Sequence, residues 1–469
     1  MMRGATAAGP TLRTLRPRSP ISGLYRFTLM AAVFSAFLFS PALLYVLGIN
    51  YAGQGGNPLE KIHVATVLGL VALGLSVLVT GKMRFIGLSP RTFFSLIALI
   101  AFATVQLLIL GRPASGLLVT FLTPILLLYL VTTIPADLFR FLRCAIMVLL
   151  IANSFTGLAE FVFGIKLLPH VAGAIEIRGD GRALGLVGHP LTAAFLAGIA
   201  LVHLVVSGAM AGFRRMALPE IALHALALLA FGGRLALLAT LSILIVFVLC
   251  DRAALSRLPA RQRVLMRATL VLGVVAGVLA ASASGLADQV LTRFAEDGGS
   301  TATRWAALKL AFHLPPDALF FGLAPGPRAD MLVAFDTPYG IEITWIGWLV
   351  DYGLFIALAL LAVLVLILRA CLRGGTRVHA YMTAYFLICI SGAQGLGAKS
   401  LLLAWMVVLL LTLRPQPDHR SALRSAAMSG SRPGPAPRAQ GAPAIAPHRQ
   451  GATAHRQALR HRRAERRGH

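Results

Sequence analysis

Ionisable side chains are scarce in this chain. Asp, Glu, Lys and Arg make up 13% of its 469 residues, about half the share of a soluble domain. Acidic residues are the rarer sign, 17 against 43 Lys and Arg. The four cysteines, Cys144, Cys250, Cys371 and Cys389, form no CxxC pair and no metal spacing. That argues against a disulfide framework or a zinc site and marks them as reduced packing residues. Walker A, GxSxG and HExxH motifs and aspartate-rich metal pairs are missing too, so ATP hydrolysis, serine hydrolysis and zinc chemistry lose support. No metal and no cofactor is implied. Alternating short strands, the mark of an outer-membrane barrel, are absent, and no internal repeat is evident.

What the chain has instead is apolar length. Hydrophobic residues reach 57% and the mean hydropathy is +0.79. Apolar runs fall at 27–48, 62–80, 92–110, 114–134, 142–164, 190–210, 218–232, 235–250, 268–286, 343–368, 380–397 and 400–413. Most are long enough to cross about 30 Å of hydrocarbon as a helix. The pattern predicts an all-α polytopic membrane protein with about twelve transmembrane helices. The basic segment 1–26 followed by 27–48 has the outline of a secretory signal. Its apolar run is too long and lacks a clean small-residue cleavage site, so it counts as the first span. The pair Gly232–Gly233 also fits a re-entrant break inside one longer segment.

The basic residues fix an orientation. Lys82, Arg84 and Arg91, then Arg140 and Arg143, Arg214 and Arg215, Arg252 to Arg267, and Arg369 to Arg377 alternate with basic-poor loops. With twelve spans they share one side with both termini, which predicts an N-in, C-in protein. Two loops break the rule, 165–189 and the large loop 287–342, and both face outward. In a bacterial inner membrane that side is the periplasm. The domain plan is therefore a basic tail (1–26), a membrane domain (27–413) and an Arg-, Pro- and Ala-rich segment (414–469). The last cannot bury enough apolar surface to fold and suits anionic lipid. A net charge of +26 does not imply nucleic acid, because no stacking aromatics accompany the arginines.

The outward loops hold the candidate chemistry. The first carries Arg178, Arg182 and Gly188-His189-Pro190. Pro190 suits a first helical turn, which places His189 at a helix N-terminus beside two guanidiniums. That is an anion site matched to phosphate, although a loop pinned to headgroups by its arginines has the same residues. Phe231-Gly-Gly-Arg234 places an Arg within an apolar run, as a functional group or an interfacial anchor. The large loop supplies Arg304, beside Trp305, Leu308 and Phe312 on one helical face, then a Gly322 turn and Arg328. Glu342 stands at the next span, where a helix N-terminus alone would favour a carboxylate, and Glu160 is equally ambiguous. His313 reads as a surface residue. Asp351 is a buried partner for an Arg or a packing polar.

In this order the pieces resemble the O-antigen ligase and Wzy-type polysaccharide polymerase superfamily. The resemblance rests on Arg182, Gly188-His189-Pro190, Gly-Gly-Arg234, Ser300…Arg304-Trp305, the Gly322 turn, and Ile341-Glu342…Trp345…Tyr352-Gly353-Leu354. It covers roughly 60–410. It implies transfer of a glycan from undecaprenyl pyrophosphate to an acceptor sugar, without nucleotide or metal. Arg182 and Arg234 align with arginines that hold the pyrophosphate. Arg178, His189, Arg304 and Arg328 are further substrate-binding candidates, and Glu342 is the candidate base. Ligases of the family typically carry a histidine before the span that closes the large loop. Glu342 stands here instead, which favours a polymerase of exopolysaccharide or O-antigen repeats. The implied partners are the lipid-linked oligosaccharide, membrane lipids, a chain-length regulator and a flippase. A ligase with another acceptor is the alternative within the family. A non-enzymatic transporter of lipid-linked sugars is the rival outside it, though its polar groups belong at mid-membrane.

Overall fold

A backbone in hydrocarbon must pair its own peptide groups, and helices do so within one segment. The computed structural model describes residues 20–53, 56–86, 88–172, 175–177, 181–210, 218–251, 300–337, 341, 343–392, 395–396 and 399–414, with four isolated positions between 260 and 268. Arg178, Glu342, all but the first residue of the predicted span 268–286, and the segment 415–469 lie outside the described residues.

The helices are α1 (Pro20–Leu38), α2 (Pro41–Val46), α3 (Val64–Thr80), α4 (Pro90–Ile109), α5 (Ser115–Thr132), α6 (Ala136–Phe163), α7 (Pro190–Met210), α8 (Leu218–Phe231) and α9 (Arg234–Cys250). After the undescribed stretch come α10 (Ser300–Phe312), α11 (Pro316–Phe321), α12 (Pro325–Ala334), α13 (Thr344–Leu372), α14 (Arg377–Gly392) and α15 (Leu402–Thr412). The single ladder among the described residues pairs Val171–Ala172 with Ile175–Glu176. Among the described residues six helices, α1, α4, α5, α6, α7 and α13, are long and apolar enough to cross a membrane, and α3, α8, α9 and α15 are shorter apolar helices.

The predicted runs that fall on described residues reappear as helices with small shifts. The first begins at Pro20, inside the segment expected to be tail, and breaks before Pro41. Proline suits a first helical turn, and Ser40 caps the second piece by accepting from the Leu43 N–H at 3.2 Å. Arg26 consequently sits on α1, paired with Asp137 at 3.4 Å. Gly232, at φ +64°, does separate α8 from α9.

The ends of the bundle are held differently. One end gathers ion pairs and hydroxyl contacts: Arg26 with Asp137, Tyr25 with Thr133 at 3.3 Å, and Asp251 with Arg377 and Tyr381. Helix α6 leads from Asp137 to Glu160, about 35 Å along its axis by helical rise. There the contacts are of another kind, side chains clamping backbone carbonyls and amides. A large core runs between the ends, with Tyr129, Phe195, Phe247 and Phe386 fully buried.

The three helices α10 to α12 build a small core of their own around Ala307, Leu310, Leu323 and Leu332, closed by Ile346 and Val350 of α13. Helix α13 is kinked at Gly353, at φ +77°. The kink takes Val350 and Asp351 carbonyls out of the helical ladder. The Leu323 N–H donates to the first at 2.8 Å, and Arg112 donates to the second at 2.6 Å. A Cβ at Gly353 would run into the Phe320 carbonyl, so only glycine fits.

Candidate functional site

The site is built on the buried carboxylate of Glu160. It lies in the last turn of α6, where the chain leaves the helix through Gly164. One oxygen accepts from the Leu167 N–H at 3.0 Å, and the other from Leu184 and Gly185 at 2.7 and 2.8 Å. Three amides around one carboxylate fold the loop back over the helix end. The sequence leaves the role of Glu160 ambiguous, and its three amide contacts give it one. It organises a loop.

The clamped loop carries Arg182. Ala183 donates its N–H to the Ala230 carbonyl at 3.3 Å, which seats the loop on the end of α8. Two glycines permit this approach. A Cβ at Gly185 would lie 2.7 Å from the Asn153 Oδ1, and one at Gly188 would collide with Ala42 of α2. His189 follows, half-buried, its ring 5.4 Å from that of His170 and its Nδ1 3.3 Å from the Thr192 hydroxyl. Helix α7 then starts at Pro190.

Arg234 is the first residue of α9, immediately after the Gly232–Gly233 turn. Gly233 lies against Ala194 in the second turn of α7, where a Cβ would come within 2.5 Å. The segments bearing Arg182 and Arg234 therefore meet at one corner, at the N-termini of α7 and α9. Both arginines are half-buried there. Helix N-termini and guanidiniums favour the same ligand, an anion rich in oxygen acceptors.

The large-loop residues divide. Arg304, on the first turns of α10, is half-buried. Arg328 is committed to the fold: its guanidinium pairs with the Asp351 carboxylate through two nitrogens. Asp351 is thus a partner for an Arg, one of the two roles its position suggested. Arg178 and Glu342 lie outside the described residues. Trp305 and Phe312 of the predicted apolar face are exposed, while Leu308 packs on the small core.

Sequence reasoning passed over Arg112. Placed between α4 and α5 and buried, it donates to the carbonyls of Phe321 at 3.0 Å, Gly322 at 2.8 Å and Asp351 at 2.6 Å. It thereby ties the large-loop helices to the kink of α13. The signal was available: an Arg flanked by Gly111 and Pro113 in a five-residue connector on the basic-poor side.

Among the described residues no group of three or more His, Cys, Asp or Glu is arranged to hold a metal. No protein-family model matches the chain, and no curated protein matches it.

Proposed function

We propose that the protein is a polysaccharide polymerase of the bacterial inner membrane. It transfers a growing glycan from undecaprenyl pyrophosphate to the next lipid-linked repeat unit at the periplasmic face. The observation that carries this reading is the corner where the Ala183–Ala230 hydrogen bond and the Gly233–Ala194 contact bring the segments of Arg182 and Arg234 together.

In the proposed reaction an acceptor hydroxyl oxygen attacks the anomeric carbon of the donor glycan. The bond from that carbon to the pyrophosphate oxygen breaks, and the lipid pyrophosphate departs with the electron pair. Arg182 and Arg234 stabilise the charge it gains, an effect that is strongest where water is scarce. Arg304 is the next cation for this role. The hydroxyl proton passes to a carboxylate, for which Glu342 is the candidate. Arg328, a further substrate-binding candidate, is already paired with Asp351.

The matching topology has twelve crossings with both termini cytoplasmic. The six long and four shorter apolar helices, α14 and the predicted span 268–286 together make that number. The site end then faces the periplasm, and the end holding Arg26, Asp137, Asp251 and Arg377 faces the cytoplasm.

The test is reconstitution in nanodiscs with undecaprenyl-pyrophosphate-linked repeat units, chelator present and nucleotide absent. A ladder of lengthened lipid-linked glycans is expected. Unreacted repeat units would reject the proposal, and a single transfer to a different acceptor would make the protein a ligase.

A further inference from the structure

Two lysines stand at the site end with no carboxylate to answer them among the described residues. Lys61 closes the turn Pro58–Lys61, and its Nζ donates to the carbonyls of Asn50 at 2.5 Å and Gly53 at 2.8 Å. Lys399, in the connector before α15, donates to the Tyr51 carbonyl at 2.7 Å and lies 4.9 Å from the centre of the Tyr51 ring. Two ammonium groups thus sit on the consecutive carbonyls of Asn50 and Tyr51. No ion pair joins either to a carboxylate among the described residues. Glu60, the nearest acid in sequence, is exposed.

The neighbours do not neutralise the pair. His63, edge-on to Tyr51, donates from Nε2 to the Phe39 carbonyl and accepts at Nδ1 from the Ala65 N–H, so its ring is neutral. An ammonium has three donors, and these contacts leave Lys399 two and Lys61 one. Both side chains are half-buried. Burial and the Lys61 charge draw Lys399 down to about 8, the cost of two close cations without an anion. The arrangement is unfavourable empty and becomes favourable when an anion reaches both ammoniums.

Its place in the fold relates it to the arginine corner. The carbonyls belong to the loop that follows α2, and α2 packs on Gly188 of the Glu160-clamped loop. One short helix links the two cationic groups.

We propose that Lys61 and Lys399 form a second anion site, which holds the phosphates of the lipid-linked acceptor. The inference rests on the arginine corner being the donor site. A polymerase must hold two polyprenyl pyrophosphates at once, because one leaves and the other stays on the product. One cationic corner serves one of them. A lysine pair linked to it through α2, with donors to spare and no counter-ion among the described residues, suits the other.

The test is equilibrium binding of labelled farnesyl pyrophosphate to the full chain in phosphatidylcholine nanodiscs. Wild type should bind two per chain. Lys61→Gln/Lys399→Gln should bind one, Arg182→Ala/Arg234→Ala should bind one, and Lys61→Arg/Lys399→Arg should bind two. The single variants Lys61→Gln and Lys399→Gln, which serve if the double variant fails to insert, should each weaken one site by about tenfold or more. Two sites surviving in the lysine variants would overturn the inference. Two sites surviving only in the arginine variant would leave it standing and remove the donor assignment instead. A lysine-dependent site that disappears in phosphatidylglycerol nanodiscs would belong to an ordinary headgroup, and that result also overturns it.

Discussion

The Glu160 carboxylate accepts the Gly185 N–H at 2.8 Å, across 25 residues of chain. With the Leu167 and Leu184 amides it holds the loop that carries Arg182. Truncation to Glu160→Ala leaves the buried Leu184 and Gly185 amides without their acceptor, and the Leu167 amide, whose residue is exposed, turns to water; each buried unsatisfied group costs about 1–3 kcal/mol. The variant should lose about 2 kcal/mol or more of stability and all glycan transfer. Glu160→Gln, which keeps one acceptor oxygen, should fall between. Thermal melting in nanodiscs, with limited proteolysis of 165–189, reads both effects. An Ala variant that melts like wild type and keeps the loop protected would show the clamp to be dispensable.

Arg112 ties together carbonyls that are more than 200 residues away in sequence. Its fork reaches three oxygens, an arrangement that a lysine point charge cannot copy. Arg112→Ala should cost about 2–4 kcal/mol, and Arg112→Lys should recover less than half of it. Hydrogen exchange should accelerate at the Gly322 and Leu323 amides, which bond to the Ala318 and Val350 carbonyls. Unchanged exchange at these amides would mean that α11 docks on the kink without Arg112.

Helix positions were legible because apolar runs have to be helical in hydrocarbon, and Pro190 and Gly232 punctuate them where the structure does. The corner was legible as a list of residues, Arg182 and Arg234, but its cause was not. Glu160 reads as an ambiguous carboxylate until the fold brings Leu184 and Gly185 onto it. Arg328 reads as one more loop cation, because pairing with Asp351 depends on how α12 packs against a kinked α13. Arg112, Lys61 and Lys399 share a signal that composition does carry: each is a cation on the basic-poor side.

His63 gives a pH dependence. Burial pushes its imidazole down to about 4, against a small opposing effect of its bond to the Phe39 carbonyl. An unfolded histidine titrates near 6.5, so between about 6.5 and 4 the unfolded chain binds the extra proton. Stability from this group is therefore complete above about 6.5 and is lost as pH falls towards 4. Asn in its place keeps an acceptor for the Ala65 N–H and does not titrate. Melting temperatures at neutral pH and near pH 5 should fall further for wild type than for His63→Asn. Equal falls would show that His63 takes up its proton without penalty.

The central claim is that Arg182 and Arg234 act on one leaving pyrophosphate. Its most direct test is single-turnover release of undecaprenyl pyrophosphate by wild type, Arg182→Ala, Arg234→Ala and the double variant, all reconstituted and shown to be folded. Groups that act as a unit are strongly non-additive. Each single variant should slow release by about 100-fold or more, and the double variant should be little slower than either. Release within a few-fold of wild type in either single variant, or losses that multiply in the double, would contradict the claim.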